Sequence, residues 1–268
     1  MNTKDKLGTK EEKTWCPGCP NFLILEAVKQ TVAKFIDDKK VKKEDFAMVT
    51  DIGCHAKMFD YLNLSGIYGL HGRAIPTALG MKLGNPNLKV LTFAGDGAVY
   101  SEGISHFIHA FRFNPDMNLF LHNNQNFSLT TGQSTPTSPE GFSSKMKPQG
   151  EENNPFNPIK IALASGGTFV ARVNAYDIPH MVEVFTKAIN HKGFSFVEIL
   201  QECLIFGGKP KGEMYKIKDN SDLKIAEKIA DEFNYQNKSG KIPLGIIYQK
   251  REKTMEEKID KLNRRLKK

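Results

Sequence analysis

Four cysteines stand out in this chain of 268 residues, because thiolates are strong metal ligands and nucleophiles. Cys16 and Cys19 form a close pair in TWCPGCPN, whereas Cys54 and Cys203 lie far along the chain. The charged first fourteen residues have no apolar secretory core, and no apolar run reaches the length of a membrane span, so we expect a cytoplasmic protein that is not bound to a membrane. Disulfides are rare in a reducing cytoplasm, so the thiols are free, catalytic or bound to metal. Four thiolates suit either a tetrahedral zinc ion or an iron–sulfur cluster.

A second candidate site combines an acidic residue with an amide. Asp96 lies between Gly95 and Gly97 after the apolar segment LKVLTFAG, and Asn124 ends the next apolar segment along the chain. Carboxylate and amide oxygens are ligands that Mg²⁺ prefers, and this cation readily bridges to phosphates. The two glycines permit a tight turn and the close approach of a phosphate to the backbone. Although a bare GDG is often only a turn, its place at a strand end predicts a site for Mg²⁺ and a diphosphate.

The segments that must position these residues alternate between strand and helix patterns. The alternation predicts right-handed βαβ units and a mainly parallel α/β sheet with helices on both faces, which binds ligands at the carboxyl ends of its strands. Segment 128–157 is rich in Gly, Pro, Ser and Thr and is expected to be an ordered functional loop. Strands are predicted over 46–54, 88–97, 117–126, 168–175, 194–200 and 242–249, and helices over 20–38, 74–84, 102–113 and 178–192, while 158–165 continues the alternation.

Composition limits the possible functions. A hydrophobic content of 40% supports a sizeable core, and no internal repeat or second domain is evident. The net charge of +8 does not indicate a nucleic-acid partner, because the lysines are scattered and no aromatic and basic motif accompanies them. Near the C-terminus, a charged helix carries apolar residues at heptad-like steps, and it can dock on its own domain or on a partner. These residues are Met255, Ile259, Leu262 and Leu266.

Six segments together resemble the β subunit of 2-oxoacid:ferredoxin oxidoreductases, especially the two-subunit 2-oxoglutarate or broad 2-oxoacid type. They follow the family's order and cover roughly residues 14–206. GDG followed by NN is the thiamine-diphosphate signature of that family. The resemblance implies a diphosphate-binding module of the thiamine-diphosphate-binding fold, here a single domain over 1–268 with a core at about 14–206 and a C-terminal extension over 207–268. The segments are WCPGCPNF (15–22), DIGCHAK (51–57), GLHGRAIPTALGMKLGNPNLKV (69–90), GDGAVYSEGISHFIHAFRFN (95–114), HNNQNFSLTTGQSTPTSPEG (122–141) and EILQEC (198–203).

The resemblance also implies roles for individual residues. Lys57 would hold the carboxylate of a 2-oxoacid, and Leu129 would lie in the substrate pocket. A 4Fe-4S cluster would be bound by Cys16, Cys19, Cys54 and Cys203. Mg²⁺ would be bound by the side chains of Asp96 and Asn124 and by the backbone carbonyl of Asn126. Thiamine diphosphate would be contacted by Ile52, Gly53, Cys54, His55, His71, Gly97, Ala98, Ser128 and Leu129.

Some of these positions depart from the family or have simpler interpretations. Asn126 stands where an apolar residue is usual, and Ser128 where glycine is common. Lys57 can be an ordinary solvated lysine, His71 a structural histidine and Leu129 a core residue. The four thiols can instead bind zinc or remain without a metal.

The function that the resemblance implies is oxidative decarboxylation of a 2-oxoacid, with 2-oxoglutarate favoured, to acyl-CoA and CO₂, with electrons passed to ferredoxin. Alternatives are a subunit specific for pyruvate, branched-chain 2-oxoacids or indolepyruvate, or a noncatalytic metal-binding module. No pyrimidine-binding domain and no ferredoxin-like cysteine series is recognised in the sequence. The expected partners are therefore an α subunit, in a heterodimer or a dimer of such pairs and required for activity, together with ferredoxin, coenzyme A and the 2-oxoacid.

Overall fold

The computed structural model describes residues 2–236 and 240–266, and an eight-stranded sheet forms the centre of this part of the chain. The strands are β1 (Phe46–Thr50), β2 (Ser65–Tyr68), β3 (Lys89–Gly95), β4 (Met117–Asn123), β5 (Asn126–Phe127), β6 (Gln133–Ser134), β7 (Phe169–Asn174), β8 (Ser195–Leu200), β9 (Glu213–Lys216) and β10 (Lys241–Gln249). The large sheet has the order β2-β1-β3-β4-β8-β7-β10-β9, and β5 pairs with β6 in a separate antiparallel ribbon.

Parallel pairing dominates the large sheet. The six strands from β2 to β7 run parallel, whereas β10 runs antiparallel to β7 and pairs in parallel with β9. Helices cover both faces, as is usual for parallel sheets. The predicted fold class is confirmed.

The helices are α1 (Thr3–Lys6), α2 (Asn21–Asp37), α3 (Met58–Tyr61), α4 (Ala74–Gly84), α5 (Asp96–Tyr100), α6 (Ile104–Phe113), α7 (Pro158–Ala164), α8 (Ile178–Asn190), α9 (Leu223–Asp231) and α10 (Met255–Leu266). Capping residues explain where α7 and α8 begin. The side chains of Asn157 and Asp177 accept hydrogen bonds from the backbone N–H groups of Lys160 and His180, at 3.2 and 3.0 Å. Each helix also has a proline in its first turn, where a missing N–H costs nothing.

The core consists of two main apolar clusters on opposite faces of the sheet. Successive residues of a strand point to opposite faces. Phe120 therefore packs with α2 and α8, whereas its neighbours Leu119 and Leu121 pack with α4, α6, α7 and α9. Since β3 and β4 are buried on both faces, they appear in the sequence as nearly continuous apolar runs.

Several elements differ from the sequence prediction. The predicted strands 46–54, 88–97 and 117–126 end at Thr50, Gly95 and Asn123. The prediction of a turn at Gly95-Asp96-Gly97 is wrong. Asp96 is the first residue of α5, which follows β3 directly. The strands β2 and β9 and the helix α9 were not predicted.

The C-terminal extension has two structurally different parts. Its strands β9 and β10 extend the large sheet, and α9 packs against α7 and β10. The helix α10 is attached at its first turn, where the N–H of Met255 donates to the carbonyl of Asn114 at 3.0 Å. None of its twelve residues is fully buried. Met255 is half-buried, whereas the other residues of the apolar seam, Ile259, Leu262 and Leu266, are exposed.

Candidate functional site

A cavity lies at the carboxyl ends of β1, β3, β4 and β8, where parallel strands bring their following loops together. We call it the Asp96 cavity. Its lining includes every residue predicted to contact thiamine diphosphate or Mg²⁺. These are Ile52, Gly53, Cys54, His55, His71, Asp96, Gly97, Ala98, Asn124, Asn126, Ser128 and Leu129.

Asp96 is buried and fully hydrogen-bonded in this cavity. Its Oδ2 accepts from the hydroxyls of Thr135 and Thr137 at 2.6 and 3.0 Å, and its Oδ1 accepts from the N–H of Asn124 at 3.4 Å. Burial nevertheless raises the pKa of Asp96 to about 6, because removal from water disfavours the charged form more than these bonds favour it. A divalent cation beside this carboxyl would supply the missing positive charge.

Two asparagines after β4 form a tight turn beside Asp96. Gln125 lies between them with φ of 60°, a left-handed conformation that is uncommon for a residue other than glycine. The turn brings the N–H of Asn126 to 3.2 Å from Oδ1 of Asn124. The Nδ2 of Asn124 donates to the hydroxyl of Ser128 at 2.6 Å. Oδ1 of Asn126, a residue that lines the Asp96 cavity, is buried without a hydrogen-bond partner in the described structure.

The glycines around Asp96 are required for space rather than for backbone conformation. Gly95 has an ordinary φ of −94°, and a Cβ added there would lie 2.9 Å from the ring of His55. A Cβ on Gly97 would overlap the ring of Phe127. The sequence predicted a tight turn and the approach of a phosphate at these glycines, whereas the groups that approach them in the structure are the rings of His55 and Phe127.

Sequence analysis missed three polar residues of the wall, namely His122, Thr130 and Gln201. His122 and Gln201 line the Asp96 cavity, and Nδ1 of His122 lies 2.9 Å from Oδ1 of Asn21. Burial lowers the pKa of His122 well below its ordinary value, so this ring is neutral. The sequence positions of two of them could have predicted a place in the site. His122 immediately precedes Asn123 and Asn124, and Gln201 directly follows β8. His71, which was predicted, lies with Nδ1 3.0 Å from a carboxylate oxygen of Glu102.

A second cavity, which we call the cysteine cavity, adjoins the first. All four cysteines line it, together with Lys57 and Leu129. Five residues border both cavities, namely Cys54, Asn124, Ser128, Leu129 and Gln201. The set of four thiols is therefore close to the Asp96 cavity, whereas Lys57 lines the cysteine cavity only.

The thiols occur in a partly buried environment. Burial raises the pKa of Cys19 to about 11, with smaller contributions from the other three cysteines, and burial also raises the pKa of Cys54. Cys16 is exposed. Among residues 2–236 and 240–266, no three or more His, Cys, Asp or Glu side chains are arranged to hold a single metal ion.

Trp15 connects two of the cysteine-bearing turns. Its indole N–H donates to the backbone carbonyl of Cys54 at 2.7 Å, and its ring packs edge-on against Phe22 and Tyr61. Trp15 is the chain's single tryptophan and is almost fully buried. The contact fixes the CPGC turn against the turn that carries Cys54.

The fold belongs to the thiamine-diphosphate-binding class of domains, and residues 51–199 match the family described as the C-terminal TPP binding domain of thiamine pyrophosphate enzymes. The 2-oxoacid:ferredoxin oxidoreductase subunit beta of Saccharolobus solfataricus is 37% identical over 259 residues, which cover 89% of this chain and 82% of that protein. The chain belongs to the family of 2-oxoacid:ferredoxin oxidoreductase β subunits and is an oxidoreductase subunit.

Further relatives agree with this assignment. The 2-oxoglutarate synthase subunit KorB of Archaeoglobus fulgidus is 39% identical over 190 residues, which cover 70% of this chain and 69% of that protein. Among solved structures, 2-oxoglutarate:ferredoxin oxidoreductase from Magnetococcus marinus, with 2-oxoglutarate, coenzyme A and succinyl-CoA bound, aligns with a TM-score of 0.91 and 30% identity. The alignment covers 99% of this chain and 91% of that one. The resemblance found in the six sequence segments is confirmed. No helix in the described part of the chain combines the length and apolar character that a membrane span requires.

Proposed function

We propose that this chain is the subunit that binds thiamine diphosphate, Mg²⁺ and a 4Fe-4S cluster in a 2-oxoacid:ferredoxin oxidoreductase. With an α subunit, it would convert a 2-oxoacid to acyl-CoA and CO₂ and pass electrons to ferredoxin. One observation carries the proposal. The Asp96 cavity and the cysteine cavity share five lining residues, so the cavity proposed to hold the cation and the diphosphate adjoins a set of four thiols.

The Asp96 cavity has the donors that Mg²⁺ and a diphosphate require. Asp96 and Asn124 offer side-chain oxygens, and Asn126 offers its backbone carbonyl. That carbonyl accepts the N–H of Ser128 at 3.0 Å, which leaves its second lone pair for a cation. The absence of a Cβ at Gly97 lets the Phe127 ring pack against the start of α5, which forms part of the cavity wall beside Asp96. The remaining contacts to the cofactor would come from Ile52, Gly53, Cys54, His55, His71, Ala98, Ser128 and Leu129.

When bound, thiamine diphosphate supplies the nucleophilic carbon that attacks the keto group of a 2-oxoacid. Lys57 and Leu129 both line the cysteine cavity, and Leu129 also borders the Asp96 cavity. In this arrangement the ammonium of Lys57 would hold the substrate carboxylate, while Leu129 would pack against the substrate where the two cavities meet. The keto carbon would then face the Asp96 cavity.

The four thiols suit an iron–sulfur cluster better than a single zinc ion. Zinc would draw four sulfurs to about 2.3 Å from one centre. Zinc sites usually include a second close CxxC pair, whereas Cys54 and Cys203 lie far apart in the sequence. The four thiols line one cavity, and a cubane takes one thiolate at each of its four irons. The raised pKa of Cys19 implies that cluster assembly would release protons.

The 2-oxoglutarate specificity is favoured by the names of several relatives, including the Archaeoglobus fulgidus subunit. Pyruvate, branched-chain 2-oxoacid and indolepyruvate specificities remain the alternative enzymes, and a noncatalytic metal-binding module is the alternative outside enzymes. The intact pair of Asp96 and Asn124 argues against the noncatalytic module, because the N–H of Asn124 lies 3.4 Å from Oδ1 of Asp96 and both side chains offer the oxygens that Mg²⁺ prefers.

The test is the reduction of ferredoxin by the complex of this chain with its α subunit, prepared without oxygen. We expect reduction that requires both a 2-oxoacid and coenzyme A, with the highest kcat/KM for 2-oxoglutarate. Asp96→Ala should abolish both reduction and Mg²⁺-dependent binding of thiamine diphosphate. A wild-type complex that binds thiamine diphosphate but reduces no acceptor with any of the four 2-oxoacids would overturn the proposal.

A further inference from the structure

Lys57 is held by one residue from a distant part of the chain. Its Nζ donates to the backbone carbonyl of Thr14 at 3.0 Å and to the hydroxyl of the same threonine at 2.8 Å. Both acceptors are uncharged, so they orient the ammonium without neutralising it. An ammonium has three N–H donors. Beyond the two donated to Thr14, Lys57 therefore has a third N–H that can bind an anion in the cysteine cavity, which both residues line.

Thr14 is itself fixed by the protein core. Its backbone N–H donates to the phenol oxygen of Tyr61 at 2.8 Å, and its hydroxyl lies 3.1 Å from the same oxygen. Tyr61 is buried, and its ring packs edge-on against Trp15 with 4.8 Å between ring centroids. Trp15 in turn donates to the carbonyl of Cys54, as described above. The acceptors for Lys57 therefore belong to a segment in which both Thr14 and Trp15 are fixed by contacts with Tyr61.

We propose that Thr14 is a positioning residue for the carboxylate of the 2-oxoacid. The pair of contacts from Thr14 fixes the direction of the Lys57 ammonium before the substrate arrives. A lysine loses much rotamer freedom when it binds an anion, and a side chain that is already oriented loses less. The inference rests on the proposed role of Lys57 in carboxylate binding, and it predicts an effect on substrate binding rather than on the later chemical step.

The experiment uses the complex with the α subunit and three substitutions. Thr14→Val removes the hydroxyl but keeps the backbone contacts with Lys57 and Tyr61, and Thr14→Ser keeps the hydroxyl. Thr9→Val is the matched control, because the Thr9 hydroxyl donates to the carbonyl of Asp60 at 2.6 Å in the same N-terminal segment.

We expect Thr14→Val to raise KM for the 2-oxoacid about tenfold, as loss of one hydrogen bond to a charged group implies, with kcat and KM for coenzyme A within about twofold of wild type. Thr14→Ser and Thr9→Val should leave all three constants within about twofold of wild type. Calorimetric titration with the 2-oxoacid in the absence of thiamine diphosphate, where no turnover occurs, should show that Thr14→Val raises Kd by about tenfold as well.

Lys57→Met separates failure of this inference from failure of the proposed function. If Lys57→Met raises KM for the 2-oxoacid but Thr14→Val does not, Thr14 has no positioning role and the inference alone is wrong. If Lys57→Met leaves this KM unchanged, the assigned role of Lys57 is wrong and the inference is lost with it. A fall in kcat and a rise in both KM values for Thr14→Val, with a lower Tm, would indicate a purely structural role and would also overturn the inference.

Discussion

Tyr235→Phe is expected to destabilise the protein through a buried carboxylate. Tyr235 belongs to the C-terminal extension, and its hydroxyl donates to Oε1 of Glu198 at 2.7 Å. The other oxygen of Glu198 accepts from Nε of Arg172 at 2.8 Å, and both charged side chains are fully buried. A charge in such a position depends on its few donors, since water cannot replace them. The substitution removes one donor and leaves the ring volume unchanged.

The expected loss of unfolding free energy follows from the burial of the hydrogen bond between Tyr235 and Glu198. A hydrogen bond to a charged group contributes about 1.5–3 kcal/mol, and Asn123 remains as a second donor to Oε1 at 3.0 Å, so we expect a loss of about 2 kcal/mol. This corresponds to a fall in Tm of about 4 °C for a chain of this size. Tyr215→Phe is the matched control. Its hydroxyl also donates to a glutamate, Glu232, at 2.7 Å, but this pair is only partly buried and should contribute less than about 1 kcal/mol.

The same substitution should weaken cofactor binding, because the buried network reaches Asp96. Oδ1 of Asn123 lies 3.0 Å from the hydroxyl of Thr137, which in turn lies 3.0 Å from Oδ2 of Asp96. The assays are thermal unfolding and calorimetric titration with Mg²⁺ and thiamine diphosphate, both on the complex with the α subunit. We expect affinity to fall several-fold for Tyr235→Phe and to remain unchanged for Tyr215→Phe. Equal Tm values for the two variants would refute the argument from burial, and equal affinities would refute the connection to Asp96.

Three further substitutions test separate features. Gly97→Ala should weaken binding of Mg²⁺ and thiamine diphosphate by about tenfold or more in calorimetry, because its Cβ would displace the Phe127 ring; unchanged affinity would contradict this. Gly80→Ala, in the exposed part of α4 with no atom within 4 Å of the new Cβ, should instead raise stability by about 0.5–1 kcal/mol, and a fall in Tm would be inconsistent with the helix geometry. Burial lowers the pKa of His191 from 6.5 to about 4, so protonation below pH 6.5 favours the unfolded chain. The free energy of unfolding is therefore highest above pH 6.5 and decreases as the pH falls towards 4. His191→Gln should therefore flatten the dependence of Tm on pH between these values, by an amount on the order of 1 kcal/mol at pH 5, and an unaltered profile would disprove this.

The sequence predicted those elements of the fold whose burial is visible as a simple pattern. The helix predicted over 20–38 is α2, whose buried residues Leu25, Val28 and Val32 recur at helical spacing, and the helix predicted over 74–84 is α4. The edge strand β2 was missed since all four of its residues are exposed and no apolar run marks it. The start of α5 was taken for a turn because glycine is a weak helix former, and the packing of α5 against β3 outweighs that preference.

The site was predictable as far as it depends on strand ends. Parallel strands end at a common edge, so the positions of Asp96 and Asn124 after β3 and β4 already implied their proximity. The hydroxyls of Thr135 and Thr137 that hold Asp96 come from an irregular loop with no periodic pattern. Likewise, the contact of Thr14 with Lys57 joins residues that are 43 positions apart, and nothing in the local sequence indicates it.

The most direct test of the proposed function is the metal content of the complex purified without oxygen. Iron, acid-labile sulfide and zinc are measured per β chain, and the visible spectrum is recorded before and after addition of 2-oxoglutarate, thiamine diphosphate, Mg²⁺ and coenzyme A. Four thiolates that hold one cubane predict about four irons and about four sulfides, with bleaching that requires the substrate. One tightly bound zinc, no iron and no spectral response would contradict an electron-transfer role for the four cysteines.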